Sequence, residues 1–306
     1  MIGADHWRSA LRADRLAMAG LLVLLVLAMV AITGKVLTEW AGVLDPTTVR
    51  LVDKLKAPLS DVSSVVPRDE WPPLGFYLLG TDELGRDVFA RMLQGTFVSL
   101  SIGLVAVVIS LVVGVALGAL SGYYADVRVG PLSVDTLIMR FTDVMLSFPT
   151  FFLILTVVVL LPPSIYNIMI VIGLTGWMGT ARFVRAEFLS LSERDFVVAA
   201  KATGLSEWTI ITGYMLPNAM APVIVSAVIS VAHAILTESA LSFLGFGVQP
   251  PAATWGNILA DGKAFIFDAP WLFFIPGSAI LVVVLAFNLF GEGLREAINP
   301  RRQVRK

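Results

Sequence analysis

The sequence predicts an all-α polytopic membrane protein with six transmembrane helices, and three observations carry that prediction. The 306 residues are 57% apolar and only 15% charged, where an average soluble domain carries roughly 25% charge. Six stretches near the length of a bilayer span contain no Asp, Glu, Lys or Arg, so the 22 basic and 23 acidic residues all lie outside them. The short connecting segments divide into a basic set and a set nearly free of Lys and Arg. A charge at the centre of a membrane helix costs ~2.5–3.5 kcal/mol, which accounts for the empty stretches and excludes a soluble globular enzyme.

The elements follow in order. Leu16–Gly34 comes after Arg8, Arg12 and Arg15. It is longer than a secretory h-region of ~7–15 residues and no A-x-A site follows it, so residues 1–34 read as a cytoplasmic N-terminus with an uncleaved anchor helix. Residues 35–94 form an extracytoplasmic subdomain or loop. Residues 95–295 form the transmembrane core, which opens with the span Phe97–Ser121. There Gly114, Gly118 and Gly122 repeat every four residues on one helical face, the pattern that lets helices approach closely in a membrane. That face packs either within this chain or against a partner chain. Val144–Ala181 is charge-free throughout, but Pro162-Pro163 divides it into two spans, Val144–Leu161 and Ser164–Ala181, joined by a tight turn. The charged segment 182–212 follows, then the span Gly213–Thr237. Ser239–Ala260 also lacks charge, yet Gly245, Gly247, Pro250, Pro251 and Gly256 punctuate it, so it reads as an irregular, partly re-entrant loop at the membrane surface. Pro270–Phe290 is the sixth span, and 296–306 is a basic cytoplasmic tail.

The basic residues orient the chain. The N-terminus, 122–135, 182–212 and the C-terminus share one side and hold Arg8, Arg12, Arg15, Arg128, Arg182, Arg185, Arg194, Lys201, Arg295, Arg301, Arg302, Arg305 and Lys306. The loop 241–269 on the other side has only Lys263. Both termini are therefore predicted to be cytoplasmic. A net charge of −1 with no basic block argues against nucleic acid as a partner. Zero Cys and only two His, His6 and His233, exclude disulfides, thiolate nucleophiles, iron–sulfur clusters and multi-His metal sites. Gly256–Lys263 looks superficially like a phosphate loop, but five residues separate its glycines where the Walker motif has four, and Ala264 stands at the Mg²⁺-binding hydroxyl position. The chain is thus expected to bind no cofactor and to do no chemistry.

Residues 195–217 are the most informative segment. Phe196, Ala199 and Ala200 lie at i, i+3 and i+4 and share one helical face. Gly204 stops that helix by supplying a left-handed residue. Ser206 and Glu207 suit the N-cap and first turn of the next one. The result is a short helix across the cytoplasmic surface with small residues facing a partner. A lipid-surface connector is the plain alternative. A DNA-binding helix-turn-helix would need more charge than Arg194 and Lys201 supply.

This segment resembles the EAA loop of binding-protein-dependent ABC importer permeases, with Ala199-Ala200, Gly204 and Leu216-Pro217 at the motif's spacings. Val198 stands where that motif has Glu, and Tyr214 where it has Ile. Three further stretches resemble the dipeptide/oligopeptide/nickel branch of that family. One contains Gly80, Thr81, Asp82, Gly85, Arg86 and Asp87 and runs on to Arg91. Another spans 241–256, with Gly245, Gln249, Pro250, Pro251, Trp255 and Gly256. The last spans 286–301. The similarity is strongest to the C-type permease subunit of a dipeptide or oligopeptide transporter.

The resemblance implies a type I ABC importer permease fold in a prokaryotic inner (plasma) membrane. It also implies a second homologous permease, two ABC ATPases that use the ATP and Mg²⁺, an extracytoplasmic substrate-binding protein and a peptide substrate. The ATPase-coupling residues would be Phe196, Ala199, Ala200, Gly204, Leu216 and Pro217. The runner-up class is a self-contained secondary transporter or channel, which would want broken helices and buried charge near the midplane. Asp143, near Arg140, and Glu238 lie at span margins, while His233 lies inside a span as a packing residue. Trp255, Asp261, Phe265, Phe267, Asp268 and Trp271 are expected to form an outer aromatic and acidic cluster, either an interfacial belt or a docking surface.

Overall fold

The computed structural model describes residues 14–298; Arg8, Arg12 and the basic tail from Asn299 lie outside them. Among the described residues five helices are long and apolar enough to cross a membrane, and a sixth span exists only if a sharply bent pair is counted as one. Helix α1 (Arg15–Lys35) starts at Asp14, whose carboxylate accepts from the N–H groups of Leu16 and Ala17 at 2.9 and 3.2 Å. It continues through a wider π turn to Trp40. Next in chain order comes a small subdomain with a two-stranded antiparallel sheet, β1 (Ser60–Asp61) on β2 (Phe76–Tyr77). Its core is Val62, Val66 and Tyr77 around a fully buried Asp53. Burial works against the Asp53 carboxylate, but hydrogen bonds from Ser63, Lys56 and Tyr77 outweigh it and hold the group below its ordinary pKa.

The second long helix, α2 (Val88–Tyr123), begins earlier than the charge pattern predicts, because Asp87 caps it through the Phe89 N–H at 2.9 Å. A small hairpin, β3 (Arg128–Val129) with β4 (Leu132–Ser133), turns on Gly130 at φ +64°. It leads to α3 (Val134–Ser147) and α4 (Thr150–Leu160). These two helices meet at 84°, so the predicted third span Val144–Leu161 is not one continuous helix. Pro149 accounts for the break, since its ring forces Phe148 into extended backbone at ψ 133°.

The remaining elements are α5 (Ile165–Ser192), α6 (Asp195–Ala202), α7 (Leu216–Phe243), α8 (Trp255–Gly262) and α9 (Trp271–Ile298). A short helical turn, Glu207–Thr209, and a π segment, Ile210–Met215, lead without interruption into α7. The segment read as an irregular loop, 239–260, is therefore helical at both ends. Thr254 and Asn257 form a reciprocal capping box that starts α8, so the phosphate-loop look-alike Gly256–Lys263 begins as regular helix.

The centre of the bundle is α2, α5 and α7, with α9 and α1 outside. The apolar stretch of α5 is 56% buried and that of α1 only 17%, so α5 is the central helix and α1 a peripheral one. Glycines set the α2–α5 spacing. A Cβ at Gly114, Gly118 or Gly122 would stand 2.6 Å from Thr180 Cβ, 2.5 Å from the Ala181 carbonyl oxygen or 2.5 Å from Phe188 Cβ. Of the two readings of this glycine face, the structure places it in packing within the chain. Amphipathic α3 is pinned to α5 by a bidentate Asp135–Arg185 pair and by Asp143–Arg182. Asp143 therefore pairs with a residue 39 positions away, and not with the adjacent Arg140.

Candidate functional site

The segment 195–217 is built as a short rigid strut. Gly204 has φ +74°. Its N–H donates to the Lys201 carbonyl at 3.1 Å, and the Leu205 N–H donates to the Ala200 carbonyl at 3.3 Å. Together these two bonds make the Schellman closure of α6. A Cβ at Gly204 would touch nothing within 4 Å, so glycine is required there by backbone conformation alone. Ser206 Oγ accepts from the Thr209 N–H at 3.2 Å and starts the next turn. Tyr124, just beyond the C-terminal end of α2, donates its hydroxyl to Glu207 at 2.7 Å. That acceptor raises the Tyr124 phenol above its ordinary pKa.

The two faces of α6 are distinct. Val197 and Ala200 are buried in one apolar cluster with Val184 and Phe188 of α5 and with Met215, Ala219 and Val223 at the start of α7. Phe196, Val198, Ala199 and Leu205 are exposed. Ala200, 5% exposed, therefore does not share an outward face with Phe196 and Ala199. With apolar Phe196 and Val198 on one side and Val197 and Ala200 on the other, an eight-residue helix carries no periodicity that separates the two. Leu216 is half-buried and packs on the same inner cluster, while Pro217 is exposed. The inner face of α6 thus packs through Val197 and Ala200 on both α5 and the start of α7.

The stretch 80–91 proves to be a clamp on the opposite side. Thr81 Oγ1 accepts from the Lys56 N–H at 2.8 Å. Asp82, fully buried, accepts from the N–H groups of Leu84 and Arg86 at 2.9 Å each. Its other oxygen takes Arg86 Nε at 2.6 Å and Arg91 Nη1 at 2.5 Å. Both guanidiniums reach on to Asp261 of α8. Gly80 and Gly85 have positive φ and meet backbone at close range: a Cβ on Gly85 would stand 1.9 Å from the Arg50 carbonyl oxygen. Asp87 caps α2, and burial raises its carboxyl pKa.

Residues 241–256 fasten this clamp to α7. Gly245 has φ +87°, and the Gln249 side chain donates to the carbonyls of Gly245 and Gly247 at 3.0 and 3.2 Å. Pro250 and Pro251 are joined by a cis peptide. Gly256 approaches Ser239 and Ser242 so closely that a Cβ would stand 2.7 Å from each. Trp255, 0% exposed, sits under Ser99 of α2, whose hydroxyl accepts the Trp255 backbone N–H at 3.2 Å. Glu238 is likewise fully buried and not at a free margin. It accepts from Ser242 at 2.7 Å, with Ser99 and Thr254 also turned on it.

The outer aromatic and acidic cluster does not form as one surface. Trp255 is core, Asp261 is paired, and Trp271 donates its indole N–H to the Thr81 carbonyl at 3.2 Å. Phe267 stands 96% exposed. Trp255 and Asp261 belong to structural networks that chain-local patterns do not reveal, because their partners lie more than 150 residues away. No group of His, Cys, Asp and Glu suited to a metal occurs among the described residues.

Residues 114–304 match the family described as "Binding-protein-dependent transport system inner membrane component". The dipeptide transport system permease protein DppC of Alkalihalophilus pseudofirmus is 37% identical over 299 residues, which cover 96% of this chain and 90% of that protein. The di/tripeptide transport system permease protein DppC of Pseudomonas aeruginosa is 38% identical, with 97% and 91% coverage. The oligopeptide transport system permease protein OppC of Bacillus subtilis is 33% identical, with 96% and 90% coverage. Among solved structures, a chain of the MetNI methionine ABC transporter in an inward-facing conformation superimposes with a TM-score of 0.53 at 16% identity. The match covers 67% of this chain and 95% of that one, and it supports the shared fold.

Proposed function

Because this chain belongs to the family of binding-protein-dependent transport system inner membrane components, we propose that it is the permease subunit of an ATP-driven ABC importer that moves peptides from an extracytoplasmic binding protein into the cytoplasm. The observation that carries this reading is similarity over nearly the whole chain to permeases of dipeptide and oligopeptide transport systems. In this reading the chain works beside a second permease in a prokaryotic inner membrane, with both termini cytoplasmic. Two ATPase subunits hold ATP and Mg²⁺ and do the hydrolysis; this chain supplies the pathway and binds no cofactor.

The strut at 195–204 explains how the parts would be coupled. Phe196, Val198 and Ala199 offer an ATPase an apolar outer face, and Val197 and Ala200 carry the displacement into α5 and α7. The expected result for Ala199→Trp is a chain of unchanged stability that has lost its ATPase. Overfilling a close contact costs ~1–3 kcal/mol, enough to weaken assembly roughly five- to 150-fold. Ala200→Trp should instead disrupt this chain's own packing. Both variants are compared at equal membrane abundance for ATPase co-purification and peptide uptake. If Ala199→Trp leaves both at the unmodified level, α6 is not the coupling element.

A further inference from the structure

The bend between α3 and α4 falls in the middle of the apolar layer. Helix α5 starts at Ile165, just after Pro162-Pro163, and Thr175 is ten residues further on. At 1.5 Å per residue that places Thr175 roughly 15 Å deep, about half of a ~30 Å hydrocarbon core. Thr150, the first residue of α4, lines the same cavity as Thr175. The cavity measures about 280 Å³, room for about nine waters at ~30 Å³ each, or for one end of a peptide.

Its chemistry is one-sided. No Asp, Glu, Lys or Arg lines it. The N-cap of α4 is Pro149, no side chain caps the helix, and the Leu153 N–H bonds the Pro149 carbonyl at 3.2 Å. The N–H groups of Thr150, Phe151 and Phe152 are thus left at the positive end of an 11-residue helix, and of these three residues Thr150 lines the cavity. Irregular backbone at this depth is tolerated only where it is buried in protein or lines a wet cavity.

A second observation is independent of the helix end. Ser110 is 7% exposed, its hydroxyl has no hydrogen-bond partner among the described residues, and it lines the cavity beside Gly176, where a Cβ would stand 3.2 Å from its Oγ. His233 of α7, an exposed residue, also lines the cavity; its imidazole is without a partner among the described residues and can donate from a ring nitrogen. Thr175, Ser230 and Thr237 turn their hydroxyls onto carbonyls of their own helices. Thr150, Ser110 and His233 therefore bring unpaired donors to the lining of a space that offers no carboxylate to satisfy them.

We propose that this cavity holds the terminal carboxylate of a peptide in transit, received by the α4 N-terminus, Ser110 and His233. The proposal rests on the peptide-importer reading and adds to it where in the membrane the substrate pauses and by which end it is held. A cation would find no carboxylate to pair with here.

The test uses the assembled transporter in membranes. The chain has no cysteine, so Thr237→Cys puts a single thiol on the cavity wall, to be labelled with a small uncharged maleimide. Trialanine should slow labelling at least five-fold, trialanine amide should not, and adding Ser110→Ala with His233→Leu should abolish the protection. Equal protection by both peptides, protection by neither, protection that survives both substitutions, or a thiol that never labels would each overturn the proposal. Acid-specific protection in a transporter that accumulates no peptide with ATP would count against the importer reading and leave the cavity assignment standing.

Discussion

Asp82→Ala should destabilise the protein by ~3–5 kcal/mol, the range for removing one partner of a buried ion pair. The carboxylate is fully buried, and the two arginines it holds are 7% and 2% exposed. Without it, Arg86 and Arg91 share only Asp261, whose side chain is 27% exposed. The N–H groups of Leu84 and Arg86 also lose their acceptor. The loss reaches beyond the loop, because the network ties the start of α2 to α8, and Trp255 of α8 seats on Ser99. Thermal unfolding of the purified chain at a fixed scan rate should fall by roughly 6–20 °C, taking ~2–4 °C per kcal/mol for a chain of this size class. Asp261→Asn should shift it less, since Asp82 remains to hold both guanidiniums. An Asp82→Ala protein that melts within a degree of the unmodified one would show that the cluster does not hold the fold.

The second large effect concerns the α2–α5 seam. Gly118→Val places a branched side chain where a Cβ alone would stand 2.5 Å from the Ala181 carbonyl oxygen and 2.7 Å from Val184 Cβ. The first of these neighbours is backbone and cannot rotate away, so the helices must separate. Overpacking typically costs ~1–3 kcal/mol, and the backbone clash puts this site at the top of that range. Gly179→Ala is the control: a Cβ there touches nothing within 4 Å, and alanine gains up to ~1 kcal/mol of helix propensity over glycine. Thermal unfolding and membrane abundance should fall for Gly118→Val and hold or rise for Gly179→Ala. Equal behaviour of the two variants would mean that the glycine face does not set the helix spacing.

What the sequence revealed and what it concealed divide along a physical line. Charge-free length identified five continuous spans, since lipid acts on every residue of a span. The close of α6 at Gly204 and the start at Ser206 were legible too, because capping is settled within a few residues. The broken third span was missed: Pro149 sits in an apolar run, and composition alone does not tell a span from two half-length helices at 84°. The orientation of Ala200 was missed because both sides of α6 are small or apolar. The burial of Glu238 and the pairing of Asp143 with Arg182 rest on partners from other helices. Ser110 gave no sign at all, since a lone serine in an apolar helix is ordinary until the wall it faces is known.

The central claim is that this chain conducts peptide only when ATPase subunits drive it. Proteoliposomes containing it with a partner permease, the ATPases and the binding protein should accumulate a labelled dipeptide against its gradient. That accumulation should need ATP, be lost when this chain is omitted, and persist when proton and sodium gradients are collapsed. Accumulation by this chain alone, without ATPase subunits and driven by an ion gradient, would contradict the account.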